Sequence, residues 1–321
     1  MSEQETIDWQ VTLDQRGLRL DQAVTDYLQK YSRSRVSDWI KKDLVTLNGR
    51  VCKAKYKLHG DEQVSITIPA TIEVESQAEP IPLDIVYQDD DLIVVNKPAG
   101  LVVHPAPGNL MGTMQNALLH HDPALNLVPR AGIVHRLDKM TTGLLVVART
   151  VEAHCALVAQ LQNRAFSREY ECVVSGVMTG GGTIDAPIGR QESDRKKMCV
   201  TDKNSKEAIT HFRVIHRFRA HTHVAVKLET GRTHQIRVHM AHKRFPIIGD
   251  KTYGRGVRLP KQADAETINF LQQFGRQALH AKTLGLEQPI TGEMLEWTAP
   301  LPDDFAKLLA VLKADSDEHS G

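Results

Sequence analysis

The chain has 321 residues, 41% of them hydrophobic and 25% charged, which is the composition of an ordinary globular protein able to bury cores in two modules. No apolar run approaches bilayer length and no signal-peptide pattern opens the chain; Cys52, Cys155, Cys172 and Cys199 lack zinc or disulfide spacing, so a reducing, cytoplasmic setting is expected. A net charge of +1 hides an asymmetry: residues 16–60 hold 11 Lys/Arg against 4 Asp/Glu, whereas residues 61–96 hold 9 Asp/Glu and no Lys/Arg.

That swing marks a module boundary, and the basic side suggests a polyanionic partner. Leu20, Ala23, Val24, Tyr27 and Leu28 recur at helical spacing. Ser32 or Ser34 can cap a second helix with Val36, Trp39, Ile40 and Leu44 inside. Val45 to Val51 predicts a hairpin turned by Asn48-Gly49, and Val64, Ile66 and Ile68 alternate as a strand. Arg33, Arg35, Lys41, Lys42 and Arg50 are the cations this module displays. Contacts of such residues to phosphate supply salt-dependent affinity rather than sequence reading. The segments Arg19-Leu20-Asp21, Ser32-Arg33-Ser34-Arg35, Val45-x-Leu47-Asn48-Gly49 and Gly60-Asp61 together resemble the S4-type RNA-binding domain. An acidic, proline-punctuated stretch then predicts a linker, giving a module over 1–72, a linker over 73–82, a large domain over 83–314 and an acidic, frayed tail over 315–321.

The large domain opens as two strands around Asp89-Asp90-Asp91, whose side chains diverge on a turn and are expected to be exposed. Asn96-Lys97-Pro98-Ala99-Gly100 to Pro105 can line a cleft, and a helix follows over 113–120. Arg130 to Val147 holds two apolar runs, Ile133-Val134 and Leu144 to Ala148, read as buried strands around His135, Arg136 and Asp138. A carboxylate between buried segments is costly unless paired, and sites that accept that cost are often functional. An Arg136/Asp138 surface ion pair is the plainer reading of those residues alone.

Val151 to Ala165 has helical periodicity, and Arg168 to Val174 enters a strand in which Tyr170 is either a core residue or a platform for a base. The polar stretch 190–206, with Arg195-Lys196-Lys197 at its centre, is an RNA-touching or merely solvated loop. Glu229-Thr230-Gly231-Arg232-Thr233-His234-Gln235-Ile236-Arg237-Val238-His239 ends an alternating strand. His234, His239 and His242 lack partners at zinc-ligand spacing, so no metal is expected. Arg237 offers the permanent, directional charge that keeps a shielded carboxylate ionised. Gly249-Asp250-x-x-Tyr253-Gly254 reads as a supporting turn, residues 277–281 and 296–300 as closing strand segments, and Asp303 onward as a helix.

His135-Arg136-Leu137-Asp138-x-x-Thr141-Thr142-Gly143-Leu144 resembles the central motif of the RNA pseudouridine synthases that modify ribosomal RNA, with Met140 where a polar spacer is commoner. The Asn96–Pro105, Arg168-Glu169-Tyr170 and Glu229–His239 segments match its other motifs in family order. The resemblance implies an α+β protein: a small S4-type domain plus a mixed, mainly antiparallel sheet with a central active-site cleft. It implies isomerisation of uridine without cofactor or metal, breaking C1′–N1 and joining C1′ to C5. Asp138 would act at the sugar as nucleophile or base, Arg237 would keep it ionised, and Tyr170 would stack on the extruded uracil. Arg136 would fill the space the base leaves. The implied partner is 23S ribosomal RNA, in a large subunit or its precursor; for the protein itself a monomer is the default expectation. An RNA-binding assembly factor without catalysis and a metal-dependent nucleic-acid hydrolase built on the histidines are the two alternatives.

Overall fold

The computed structural model describes residues 5–28, 33–68, 77–105, 109–194, 197–254 and 256–319, with Glu5, Ser34 and Arg35 described by backbone alone. The chain divides into two compact units, Met1–Glu75 and Ser76–Gly321. The first contains β1 (Glu5–Gln10), α1 (Leu20–Leu28), α2 (Arg33–Lys41), β2 (Val45–Leu47), β3 (Arg50–Val51) and β4 (Gln63–Ile68). Its strands form one antiparallel sheet in the order β1-β4-β2-β3. The apolar faces of both helices, including Leu20, Val24, Val36 and Ile40, pack on Val45, Leu47, Val64 and Ile66. Asn48 and Gly49 take φ of 48° and 75°, the positive pair a two-residue hairpin turn needs. Strand β1 adds to the expected elements; its signal is the alternation of Ile7, Trp9 and Val11 with polar neighbours.

The second unit contains β5 (Ile85–Gln88), β6 (Leu92–Lys97), α3 (Met114–His121), β7 (Thr142–Ala148), α4 (Val151–Gln162), β8 (Ser167–Ser175), β9 (Gly182–Asp185), β10 (Ile188–Arg190) and β11 (Met198–Val200). It continues with β12 (Ile209–Arg217), β13 (His221–Leu228), α5 (Gln235–His242), α6 (Ala265–Gln273), β14 (Leu279–Glu287), β15 (Met294–Thr298) and α7 (Asp303–Glu318). Among the described residues nine strands form one sheet in the order β5-β6-β7-β14-β8-β13-β12-β9, with β15 on β14, and β10 pairs separately with β11. The sheet is mixed and mainly antiparallel: its parallel step is the short β7–β14 contact, where His280 and Ala281 face Thr142 and Gly143. The α+β architecture expected from the sequence is therefore the one observed.

Continuous apolar runs in β6 and β7 follow from burial on both faces. Ile93, Val95, Leu145 and Val147 join one core with α3 and α7, while Leu92, Val94, Leu144 and Val146 join another under α4. Gly143 has φ of 111°, and a Cβ there would fall 2.1 Å from the Ala281 carbonyl oxygen, so only glycine permits this strand crossing.

Three expectations are corrected. Ile133-Val134 is not a strand: Pro129 opens a 3-10 turn through Gly132, leaving Ile133 a single bridge to Val147. Residues 77–82 are not free linker, because Gln77 and Glu79 bond to Asn116 and Ile81 packs on the core. The chain beyond Asp315 does not fray there; α7 continues to Glu318, and the buried Asp315 carboxylate accepts from Arg219 at 2.8 Å. Among the described residues no helix is long and apolar enough to cross a membrane.

Candidate active site

The segment carrying Arg136 and Asp138 enters β7 and is bolted down on both sides. His135 Nε2 accepts the Val146 N–H at 3.1 Å, and burial pushes this ring down to about 3, so it stays neutral and able to accept. Thr141 N–H closes a turn on the Asp138 carbonyl at 3.0 Å. The Lys97 ammonium donates to the carbonyls of Pro98, Leu101 and Lys139 at 2.8, 3.0 and 3.1 Å. Burial brings Lys97 down to about 7 against the pull of Asp138, while three acceptors suit the three N–H bonds of the charged form. On the β14 side, Gln277 Nε2 donates to Thr141 Oγ1 at 3.1 Å, and Thr142 Oγ1 bonds His280 Nδ1 at 2.9 Å.

Arg237, on the first turns of α5, meets Asp138 Oδ2 through Nη1 at 2.8 Å. Its Nε and Nη2 take both oxygens of Asp250 at 2.8 and 2.9 Å. Asp250 is sealed from solvent, with its side chain at 0% exposure, whereas Asp138 keeps 16% and faces the cleft. Burial alone would raise the Asp250 carboxyl, but Arg237 and the N–H groups of Thr252 and Tyr253 hold it below the ordinary range. The two carboxylates in turn hold Arg237 above its ordinary value despite burial. His234, in left-handed backbone at φ of 58°, sets Nε2 3.7 Å from Asp138 Oδ1. Its Nδ1 bonds the Tyr253 hydroxyl at 2.8 Å, and the Tyr253 ring lies 5.1 Å from the Arg237 guanidinium carbon. Burial lowers the His234 pKa. Asp138 is thus a partly accessible carboxylate on a rigid mount.

A cleft of about 600 Å³ opens over it, lined among the described residues by six arginines (130, 136, 164, 168, 232 and 237) against two carboxylates, Asp138 and Glu229. A smaller recess of about 320 Å³ adjoins it and shares Arg136, Asp138, His234 and Arg237. Such a positive wall draws a polyanion to a single carboxylate. Tyr170 forms part of the wall; burial raises its pKa, so the phenol is neutral. Arg136 is exposed at the cleft and makes no hydrogen bond or ion pair among the described residues.

Asp138, Arg237, Tyr170 and Arg136 therefore meet in one cleft. The small unit differs in part from expectation. Arg33 is committed: with Arg19 it forks onto the buried Asp21 carboxylate, at 3.1 Å to each oxygen, because a buried carboxylate requires guanidinium partners. Lys41 pairs with Asp38 at 3.0 Å at the surface, Lys42 and Arg50 are exposed, and the Arg35 side chain lies outside the described residues. Arg195 and Lys196 also lie outside them. His239 is enclosed, bonded to Thr210 and the Ala186 carbonyl, and no group of three or more His, Cys, Asp and Glu among the described residues could hold a metal ion. Asp250, Tyr253 and His234 are additions to the expected site; the Gly-Asp-x-x-Tyr-Gly turn carries the first two, and the Glu229–His239 segment carries His234.

A family model described as RNA pseudouridylate synthase matches residues 91–242, and one described as S4 domain matches residues 18–64. The chain is 53% identical to a Haemophilus influenzae protein named ribosomal large subunit pseudouridine synthase D, over 98% of this chain and 97% of the relative. It is 51% identical to a Pseudomonas aeruginosa protein of that name, over 97% of each. Among solved structures, human RNA pseudouridylate synthase domain containing 4 matches at a TM-score of 0.57 and 27% identity, covering 71% of this chain and 92% of that one.

Proposed function

The chain belongs to the family of RNA pseudouridylate synthases, which makes it an isomerase, and we propose that it acts on specific uridines in a stem–loop of large-subunit (23S) ribosomal RNA. The relatives named for the large ribosomal subunit support that substrate. The observation that carries the site assignment is Asp138, oriented by Arg237 and open to an arginine-lined cleft.

In this reading the target uridine leaves its helix at a cost of a few kcal/mol, and the free Arg136 guanidinium fills its place. Uracil stacks on Tyr170. Asp138 then acts at the ribose, attacking C1′ or removing the 2′ proton, and the detached base turns to present C5 to C1′. Arg237, itself held by Asp250, keeps the carboxylate aimed throughout. The small unit adds sequence-independent affinity through Lys42 and Arg50 and raises the local RNA concentration. The protein works as a cytoplasmic monomer without a cofactor. A factor that merely bound RNA would have no use for the clamp on Asp138.

The test uses ribosomal RNA labelled with tritium at uracil C5, in the presence of EDTA. Forming C1′–C5 expels the label, so release by the wild type and not by Asp138→Asn is the expected result. Release that required added metal, or that persisted in Asp138→Asn, would overturn the assignment.

A further inference from the structure

Arg168 is a buried cation without a counter-charge among the described residues. It precedes Tyr170 by two residues on β8, so both side chains occupy one face of the strand and both line the cleft. Arg168 is only 7% exposed, yet its Nε has no hydrogen-bond partner. Nη2 donates to the Glu229 main-chain carbonyl at 3.0 Å, and no carboxylate pairs with the guanidinium among the described residues. The Glu229 carboxylate is taken by His211 at 2.6 Å and Arg164 at 3.2 Å. The neighbouring charge is another cation, Arg232, which together with burial lowers the pKa of Arg168.

The loop around it is shaped to keep it there. Gly231 lies under the guanidinium, and a Cβ at that position would come within 2.7 Å of Nη1. A buried charge left unpaired is costly unless a ligand supplies its partner. Arginine's planar fork suits phosphate, and it stays charged even when desolvated. Two residues along a strand span about 7 Å, comparable to the reach from a base to its own phosphodiester.

We propose that Arg168, with Arg232 beside it, receives a backbone phosphate of the RNA at a linkage flanking the uridine stacked on Tyr170. This rests on the RNA-modifying function proposed above and adds a phosphate subsite to it. The subsite orients the extruded nucleotide: stacking alone leaves a base free to slide on a ring, whereas a second contact to its backbone fixes the sugar relative to Asp138.

The test is a coupling measurement on the full chain. A short ribosomal RNA stem–loop containing the converted uridine is made with one neutral methylphosphonate linkage at a time. Both kcat/KM and Kd are measured for wild type, Arg168→Met and Arg168→Lys. At one linkage flanking the target, neutralisation should cost the wild type about tenfold and Arg168→Met almost nothing further. Arg168→Lys should show an intermediate loss, since it keeps the charge without the fork. Losses that simply multiply at every linkage would overturn the proposal and leave Arg168 as a support for the 229–232 loop. If Arg168→Met does not fold, the Lys variant carries the same comparison. Failure of the function itself is separable: the wild type would then convert no uridine, and coupling in Kd alone would still decide whether Arg168 meets phosphate.

Discussion

Asp250 holds Arg237 by both carboxylate oxygens, at 2.8 and 2.9 Å, and thereby fixes the direction in which the remaining guanidinium nitrogen meets Asp138. The cleft carboxylate is thus aimed from behind by a second carboxylate that never reaches solvent. Asp250→Asn should leave KM for RNA nearly unchanged and lower kcat by roughly a hundredfold, since small misplacements of a reacting group cost on that order. Equal loss in KM and kcat would mean that Asp250 supports RNA binding instead.

Asp138→Asn preserves shape and removes the charge. Single-turnover tritium release should fall by at least about a thousandfold, while the RNA Kd from gel shift stays within a few-fold of wild type.

Tyr170→Phe keeps the ring and Tyr170→Ala removes it. If the ring is a stacking surface, Phe retains most of kcat/KM and Ala loses about 1–3 kcal/mol, roughly 5- to 150-fold. A Phe variant as weak as Ala would shift the role to the hydroxyl.

Glu171 faces the other side of β8, where its carboxylate takes Lys282 at 2.6 Å and His223 at 2.8 Å. Burial alone would raise it, but hydrogen bonds from His223 and Lys282 bring it down to about 2 from 4.5. A depressed carboxyl contributes stability above its unfolded value and loses it as the pH falls through the folded one. That contribution, on the order of 2–3 kcal/mol, is complete above about 4.5 and fades toward 2. Urea melts of Glu171→Gln should therefore show a flatter pH dependence in that window than wild type.

Gly143→Ala places a methyl group against the Ala281 carbonyl where β7 meets β14. It should destabilise the fold by about 3 kcal/mol or more, seen as a lowered urea midpoint, and reduce activity in proportion to unfolding.

The sequence made the cleft's front readable and its back obscure. Asp138, Arg136 and Arg237 sit in dense polar strings between apolar runs, where an unpaired charge has no structural excuse. Asp250 lies in a turn whose residues look like ordinary loop chemistry, and only the fold brings it under Arg237. Local patterning found the Asn48-Gly49 hairpin, both helices of the small unit and β7, since alternation and turn residues are local signals. It missed the commitment of Arg33 to Asp21, because a cation's exposure depends on what else is buried nearby. It likewise read Ile133-Val134 as a strand, since β-branched residues carry the same signal whether or not a 3-10 turn leaves them length to pair.

The insertion of β14 between β7 and β8 bears on biosynthesis. The strand that follows Asp138 and the strand that carries Tyr170 are neighbours of β14 rather than of each other. A ribosome has therefore made both long before residues 279–287 can separate them and set their spacing. Contacts of such wide sequence separation form late and slowly. A nascent chain stalled after α6 carries Asp138, Arg237 and Tyr170 without the strand that spaces β7 from β8, so it should be inert until its C-terminal strands dock. Truncation before Leu279 should abolish turnover although, among the described residues, it removes just one that lines the cleft, Leu279.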